Sequence, residues 1–264
     1  MTLYDLTGRV ALVTGGAAGI GLATARLLGQ YGARLAVMDI RAPVLDAAVA
    51  GLRAEGIDAT GYVGDVKDEA GVDALVDRVH AELGLVDILI NNAGSGSHTL
   101  PEQVTMAEWR HMFELNLTGS FLMARAVGRK LLAAGKGGAI VNVSSIGASS
   151  ALGRGNISFS VAKAGMNQMT RELAVEWAGA GIRVNAVQPC QVDTPGFSEL
   201  ANSPGGSELI ARMLRGIPLG RLAVSEDVAA AVHFLASDAA AMITGVILPV
   251  DGGNLALNPG GTPR

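Results

Sequence analysis

The strongest constraint in this chain is a turn. A short apolar run, Val10–Val13, passes through Thr14-Gly-Gly-Ala-Ala-Gly-Ile-Gly21 directly into a helical pattern, Ile20–Tyr31. Glycines at 15, 19 and 21 remove the side chains at the places where a strand must reverse sharply into a helix, and they leave the backbone N–H groups at the helix start open to an anion. The remaining chain repeats this rhythm. Short aliphatic or β-branched runs recur at Leu35–Met38, Val86–Ile90, Ala139–Val143, Arg183–Val187 and Val246–Val250. Each is too short for an ordinary helix, and most are apolar on both faces, as expected of parallel strands covered by helices on either side.

Helical periods fill the gaps. In Glu69–Leu83, the residues Val72, Leu75, Val76 and Val79 share one face. Thr105-Met-Ala-Glu108 reads as a capping box that opens one long helix towards Ala134, and Ser160–Ala178 forms another. Alternation along the whole length implies an α/β fold, a doubly wound parallel sheet (Rossmann fold) of about seven strands with helices on both faces. No linker breaks the pattern, so 1–264 is expected to be a single domain. Residues 195–220 interrupt the rhythm: Pro195, Pro204 and Pro218 surround a short apolar helix, Glu208–Leu214. A long excursion of this kind is expected to be a substrate lid, the alternative being a docked surface loop.

Composition narrows the function. Hydrophobic residues make up 49% of the 264 positions and charged residues only 17%, which suffices for a full core and excludes disorder as the main state. The 36 glycines are scattered without a period, so collagen-like and linker readings fail. A net charge of −4 and 4% aromatic residues argue against nucleic acid as a partner. No apolar run approaches the roughly 18 residues that suggest a membrane span. The opening MTLYDL has no basic region followed by an apolar one, and the single Cys190 cannot close an internal disulfide, so a reduced cytoplasm is expected. The expected partner is a small molecule, and no metal site is read.

The glycine turn suits a pyrophosphate resting on the helix N-terminus. Asp39 ends the second strand, where a carboxylate would accept from both adenosine ribose hydroxyls and repel a 2′-phosphate, favouring NAD over NADP. Arg41 blurs that preference, and a plain strand-end turn residue is the competing reading of Asp39. Asp65-Val66 and Asn91-Asn-Ala-Gly94 follow the third and fourth strands, at the carboxyl ends where ligands bind in such sheets.

With these residues in place the chain resembles the short-chain dehydrogenase/reductase family over essentially its whole length. Thr14-Gly-x-x-x-Gly-x-Gly21 matches the family's glycine pattern, Asp65 its adenine-contacting acid and Asn91-Asn-Ala-Gly94 its strand-end motif. Asn116 in Glu-Leu-Asn-Leu-Thr, Ser145 in Ile-Val-Asn-Val-Ser-Ser, and Lys163 match members of its catalytic set, and Thr244–Gly253 is typical of its tail. The resemblance implies a nicotinamide cofactor held by Thr14, Gly15, Gly19, Ile20, Gly21, Asp39, Asp65, Val66, Asn92, Ala93, Gly94, Lys163, Pro189, Val192 and Thr194. Val192 and Thr194 would hold the carboxamide. It also implies hydride transfer between the nicotinamide and a secondary alcohol or ketone, and a homo-oligomer, commonly a tetramer. Asn116 would hold a water in the proton path, Ser145 would bond the substrate oxygen, and Lys163 would bind the ribose.

One position departs from the pattern. The family places tyrosine four residues before the lysine, and here Phe159-Ser-Val-Ala-Lys163 keeps the spacing and lacks the hydroxyl. Residues i and i+4 share a helix face, so the lysine charge can lower the phenol pKa in such relatives, and the phenol exchanges a proton with the substrate. Phenylalanine fills the volume without that proton. Three readings stand: a Tyr-to-Phe variant of a dehydrogenase with reduced activity; a natural enzyme whose proton comes from Ser145, Ser158, His98 or a water; or a dinucleotide-binding protein without redox chemistry.

Substrate contacts are expected from Ser145, His98, Arg154 and Gln191. Ala151-Leu-Gly-Arg154 resembles a segment of sugar-acid and polyol members, with Arg154 as a carboxylate partner. Arg212 and Arg215 on the lid are candidates for the same role, or are simply solvated, and Cys190 is read as structural or pocket-lining.

Overall fold

A computed structural model describes residues 2–194 and 205–258. The elements run in the order β1 (Val10–Thr14), α1 (Gly19–Gln30), β2 (Arg34–Asp39), α2 (Ala42–Ala54), β3 (Ala59–Val63), α3 (Glu69–Leu83), β4 (Ile88–Asn91), α4 (Met106–Phe113), α5 (Gly119–Ala133), β5 (Gly138–Val143), α6 (Ile157–Glu176), β6 (Ile182–Pro189), β7 (Val192–Asp193), α7 (Gly206–Arg215), β8 (Ala223–Val224), α8 (Ser225–Ala236) and β9 (Ile247–Val250). Seven strands form one sheet in the order β3-β2-β1-β4-β5-β6-β9, every neighbouring pair parallel. The chain starts in the middle, winds outward to β3, then returns past β1 to build β4 onwards. That reversal between β1 and β4 opens a crevice at the carboxyl ends of the strands.

Alternation along β1 divides the core into two layers. Ala11 and Val13 join Leu28 of α1 and Val228, Val232 and Leu235 of α8 on one face. Val10 and Leu12 join Val72, Val76 and Val79 of α3 and Leu122, Met123 and Val127 of α5 on the other. Each fully buried aliphatic side chain of this kind contributes about 1.5–3 kcal/mol relative to exposure.

Among the elements that escape the sequence pattern are β3, α2 and α8. No aliphatic run marks β3, Ala-Thr-Gly-Tyr-Val, because it is the sheet's edge and carries Gly61 and Thr60 beside one fully buried ring, Tyr62. Helix α2 begins without a side-chain cap, on Arg41 and Pro43. The helix expected from Thr105 towards Ala134 forms, with one departure. Thr105 caps it as read, accepting from Glu108 N at 3.1 Å. The helix runs without interruption to Ala133, but Glu114–Thr118 take π geometry, and the reciprocal bond from Glu108 is missing, since its buried Oε1 has no donor. Insertions of this type widen the helix locally and frequently mark functional positions.

Helix α6 is fixed to the end of β5 by a stripe of polar residues. Asn142 donates to Thr170 Oγ1 at 2.9 Å, Ser144 Oγ to Asn167 Oδ1 at 2.7 Å, and Lys163 Nζ to Val143 O at 2.8 Å. Residues 163, 167 and 170 recur at helical spacing, so one face of α6 is bound to the strand end, and Phe159 extends that face by one more turn.

Candidate active site

The dinucleotide cradle is built from backbone that tolerates no side chain. Gly15 and Gly19 have φ of 60° and 52°, in the left-handed region that glycine enters freely. A Cβ on Gly21 would strike the Gly15 carbonyl oxygen and lie 2.5 Å from Asn92 Nδ2; one on Gly15 would lie 3.0 Å from Ala93 Cα. Thr14 and Asn92 clamp the two strand-end turns together. Thr14 Oγ1 accepts from Asn92 N at 3.0 Å and Ala93 N at 3.1 Å, while Asn92 Nδ2 donates to the carbonyls of Thr14 and Gly15, each at 3.0 Å. Thr14 and Asn92 therefore position the cradle by holding it in shape.

Three cavities run end to end along the carboxyl edge of the sheet. The first, of about 360 Å³, is lined by Asp39, Arg41, Asp65, Val66, Ala93 and Gly94, among others. Asp39 is buried, and Arg41 caps it. Burial alone would raise the Asp39 pKa, but hydrogen bonds and charge from Arg41 outweigh it and hold the carboxyl below its ordinary value. Asp65 accepts from Lys67 N at 2.9 Å and faces Lys67 Nζ at 3.5 Å, while Val66 is buried.

The second cavity, of about 550 Å³, shares Gly15, Arg41, Ala93 and Gly94 with the first and adds Gly19, Ile20, Asn116, Phe159, Lys163 and Thr194. Asn116 sits in the π turn, fully buried. Its Nδ2 donates to Ser95 O and to Met112 O, both at 3.1 Å, so both amide hydrogens are used and Oδ1 is left without a donor. A Cβ on Gly94 would stand 2.6 Å from that oxygen and 3.5 Å from Lys163 Nζ, so the absence of a side chain at Gly94 leaves space between the two groups. Lys163 is buried, with Val143 O as its oxygen partner and its ammonium 5.8 Å from the centre of the Phe159 ring. Burial, with no carboxylate to offset it, lowers its pKa to about 8.

The third cavity, of about 580 Å³, shares Ile20, Gly96, Val143, Ser144, Phe159 and Thr194 with the second. It adds Ser145, Ile146, His98, Arg154, Asn156, Pro189, Cys190, Gln191 and Val192, with Leu209 and Met213 from α7. Ser145 Oγ accepts from Gly147 N at 3.1 Å, and Gln188 Nε2 fixes the Ser145 carbonyl at 3.0 Å. Phe159 stands at the junction of the two larger cavities, where the sequence places the missing phenol.

A nicotinamide dinucleotide fits this trough on the structure's own terms. The glycine cradle is closed to any Cβ, Asp39 and Asp65 supply acceptors at one end, and an orphaned amide oxygen and a buried ammonium lie at the other. Residues 15, 19, 20, 39, 65, 66, 92, 93, 94, 116, 145, 159, 163, 189, 192 and 194 thus line one continuous surface, with Thr14 and Gly21 behind it.

Some sequence candidates fall elsewhere. Ser158 is fully buried and lines none of the three cavities, because it sits about 100° round α6 from Phe159; it is removed from the possible proton donors. Arg212 and Arg215 also stay outside the cleft: Arg212 faces Glu208 at 3.9 Å across an exposed helix turn, and α7 turns Leu209 and Met213 inward instead. Cys190 lines the cleft, and burial pushes its thiol pKa up, away from a reactive thiolate. Residues 195–204 of the expected lid lie outside the described residues. Asn156, not among the residues expected from the sequence, is nine-tenths buried in the cleft wall.

Comparison with known proteins gives the same picture at full length. Residues 15–254 match the family model described as enoyl-(acyl carrier protein) reductase. The chain is 47% identical over 251 residues to cis-4-hydroxycyclohexanecarboxylate dehydrogenase of Sinomonas cyclohexanicum, covering 94% of this chain and 97% of that one. It is 42% identical over 250 residues to D-threitol dehydrogenase of Mycolicibacterium smegmatis, covering 95% and 94%. Among solved structures, a gluconate 5-dehydrogenase from Burkholderia cenocepacia J2315, in complex with NADP and tartrate, superposes with a TM-score of 0.90 at 31% identity, covering 97% of this chain and 98% of that chain. No helix among the described residues is long and apolar enough to cross a membrane.

Proposed function

The chain belongs to the short-chain dehydrogenase/reductase family and is a nicotinamide-dependent oxidoreductase of secondary alcohols, and on that premise we propose the particular reaction and the residues that carry it. The carrying observation is Phe159 at the mouth between the two larger cavities, on the helix face that also holds Lys163. A dinucleotide bound along the glycine cradle would supply or accept the hydride. The substrate carbinol or carbonyl would then lie in the third cavity, its oxygen bonded by Ser145 Oγ. The relatives act on a polyol and on a ring hydroxy acid, which supports a sugar acid, polyol or similar small hydroxylated compound as substrate.

In this reading Gly15, Gly19, Ile20 and Gly21 receive the pyrophosphate, Asp39 the adenosine ribose, and Asp65 and Val66 the adenine. Asn92, Ala93 and Gly94 form the floor, and Pro189, Val192 and Thr194 border the carboxamide. Lys163 holds the second ribose. Asn116 Oδ1 accepts from a water that links Lys163 to solvent. Phe159 keeps the ring wall of the site and contributes no proton, so turnover is slow. NAD is the proposed cofactor on the strength of the buried Asp39 carboxylate, although Arg41 beside it gives NADP a foothold.

A single domain over 1–264 is proposed, and of the lid expected at 195–220 the described residues 205–220 bring helix α7 to the cleft. A homo-oligomer, a tetramer in the fullest form, is proposed from the half-exposed edge strand β9 and the bare side chains of Val175 and Met242. The cytoplasm is the proposed location, given one free cysteine and no disulfide to form.

Phe159→Tyr tests the reaction. Followed at the NADH absorbance with sugar acids, polyols and secondary alcohols, the reversion should raise kcat by about 10²–10⁴-fold, the usual worth of a positioned acid–base group. If neither form transfers hydride to any substrate while both bind NAD, the dehydrogenase reading fails and the binding-only reading replaces it.

A further inference from the structure

The wall of the third cavity carries one guanidinium and two amide oxygens that have no partner among the described residues. The Arg154 guanidinium is half-buried and makes no hydrogen bond or ion pair with any described residue; burial lowers its pKa, and no neighbouring charge contributes. Asn156 donates Nδ2 to Ser97 O at 2.6 Å, which fixes the amide and leaves its buried Oδ1 without a donor. Gln191 Oε1 is likewise buried and undonated. A fold gains nothing from such groups, since a buried acceptor without a donor has given up its hydration and received no bond in return. Their convergence on one cleft, with Ser145 on the same surface and Ile146, Leu209 and Met213 as apolar wall, indicates a ligand that supplies what is missing.

We infer that the cleft selects a hydroxylated carboxylate, its anion paired with the Arg154 fork and its hydroxyl hydrogens donated to Asn156 Oδ1 and Gln191 Oε1. The inference rests on the dehydrogenase reading only for which carbinol reacts. A neutral polyol would satisfy the two amide oxygens and leave the guanidinium unpaired. A phosphate ester would want a second cation, and besides Arg154 the described lining offers only His98. The planar guanidinium matches a carboxylate in two parallel bonds, which a lysine cannot reproduce.

Binding to the NAD-saturated chain reads this directly, because Phe159 does not have to turn over. Gluconate, cis-4-hydroxycyclohexanecarboxylate and D-threitol are titrated calorimetrically into the chain and into Arg154→Gln and Arg154→Lys, with circular dichroism melts to confirm that the variants fold. The acids should bind, the ratio of acid to threitol affinity should fall at least tenfold in Arg154→Gln, and Arg154→Lys should recover part of it. An unchanged ratio in Arg154→Gln overturns the inference. If that happens while Phe159→Tyr oxidises D-threitol, the dehydrogenase reading survives alone; if acid binding depends on Arg154 while Phe159→Tyr transfers hydride to none of the three, the subsite stands and the redox reading falls.

Discussion

Arg41 grips Asp39 by both carboxylate oxygens: Nε donates to Oδ1 at 3.0 Å, Nη2 to Oδ2 at 3.1 Å, and the Arg41 backbone N adds a third bond at 3.0 Å. The group that would welcome a ribose 2′-hydroxyl is thereby joined to the group that would welcome a 2′-phosphate. NAD must share Asp39 with Arg41, and NADP must draw Arg41 away from it.

Cofactor preference should therefore move in opposite directions in two variants. Arg41→Ala leaves Asp39 uncompensated, so NADP affinity should drop relative to NAD by roughly tenfold or more, the worth of about 1.5–3 kcal/mol for a charge-assisted contact. Asp39→Ala frees Arg41 and should shift the ratio towards NADP. Fluorescence titration with both dinucleotides measures the ratio, and a ratio that stays put in Arg41→Ala would show that the pair does not govern selectivity.

Two glycines on helices should respond oppositely to alanine. At Gly21 the new methyl would strike the Gly15 carbonyl, so the cradle must open and dinucleotide binding should be lost. Gly51, on the exposed face of α2, has nothing within 4 Å of a built Cβ, and Gly51→Ala should raise stability by about 0.5–1 kcal/mol through the lower entropy of the unfolded chain. Thermal melts with and without NAD separate the two effects.

Lys163 imposes a pH dependence on stability. Its folded pKa of about 8 lies below the ordinary value of 10.5, so between those limits the unfolded chain binds more protons than the native one and stability rises with pH. Below pH 8 both states are protonated, and the cost of the buried charge, on the order of 3 kcal/mol, is fully present. Lys163→Met removes this cost. The apo variant should be the more stable form at pH 7, and its advantage should shrink steadily from pH 8 to 10.5 in denaturant titrations; an advantage that does not change across this range would contradict the assignment.

Asn116 should carry both structure and function. Asn116→Leu keeps most of the volume but abolishes the bonds to Ser95 O and Met112 O, leaving two carbonyls to find new donors in the π turn. A loss of roughly 2 kcal/mol is expected. In a Phe159→Tyr background the same change should lower kcat with little effect on NAD affinity, since the orphaned Oδ1 serves the proton path and not the cradle. A change confined to NAD affinity would place Asn116 in the cradle instead.

Much of the fold was readable because its determinants are local. Short apolar runs mark six of the seven sheet strands, 3.6-residue patterns mark α1, α3 and α6, and the glycines of Thr14–Gly21 announce a tight strand-to-helix turn by sterics alone. β3 and α2 were harder, one being a half-polar edge strand and the other lacking a capping side chain. The π turn at Glu114–Thr118 was hidden because Ser95 O, which Asn116 meets there, lies 21 residues away in the chain and is brought to it only by folding.

By itself, then, the sequence determined the sheet, the cradle, and the spacing that puts Phe159 one turn before Lys163. Only tertiary structure decided which polar groups are paired. It closed Arg41 onto Asp39, bound α6 to β5 through Lys163, Asn167 and Thr170, turned Ser158 away from the cleft, and left Arg154, Asn156 and Gln191 facing it with bonds unmade. Backbone sterics and periodicity act between residues close in the chain. The partner of a buried polar atom is set by which distant segments the core brings within about 3 Å, and no spacing in the sequence encodes that distance.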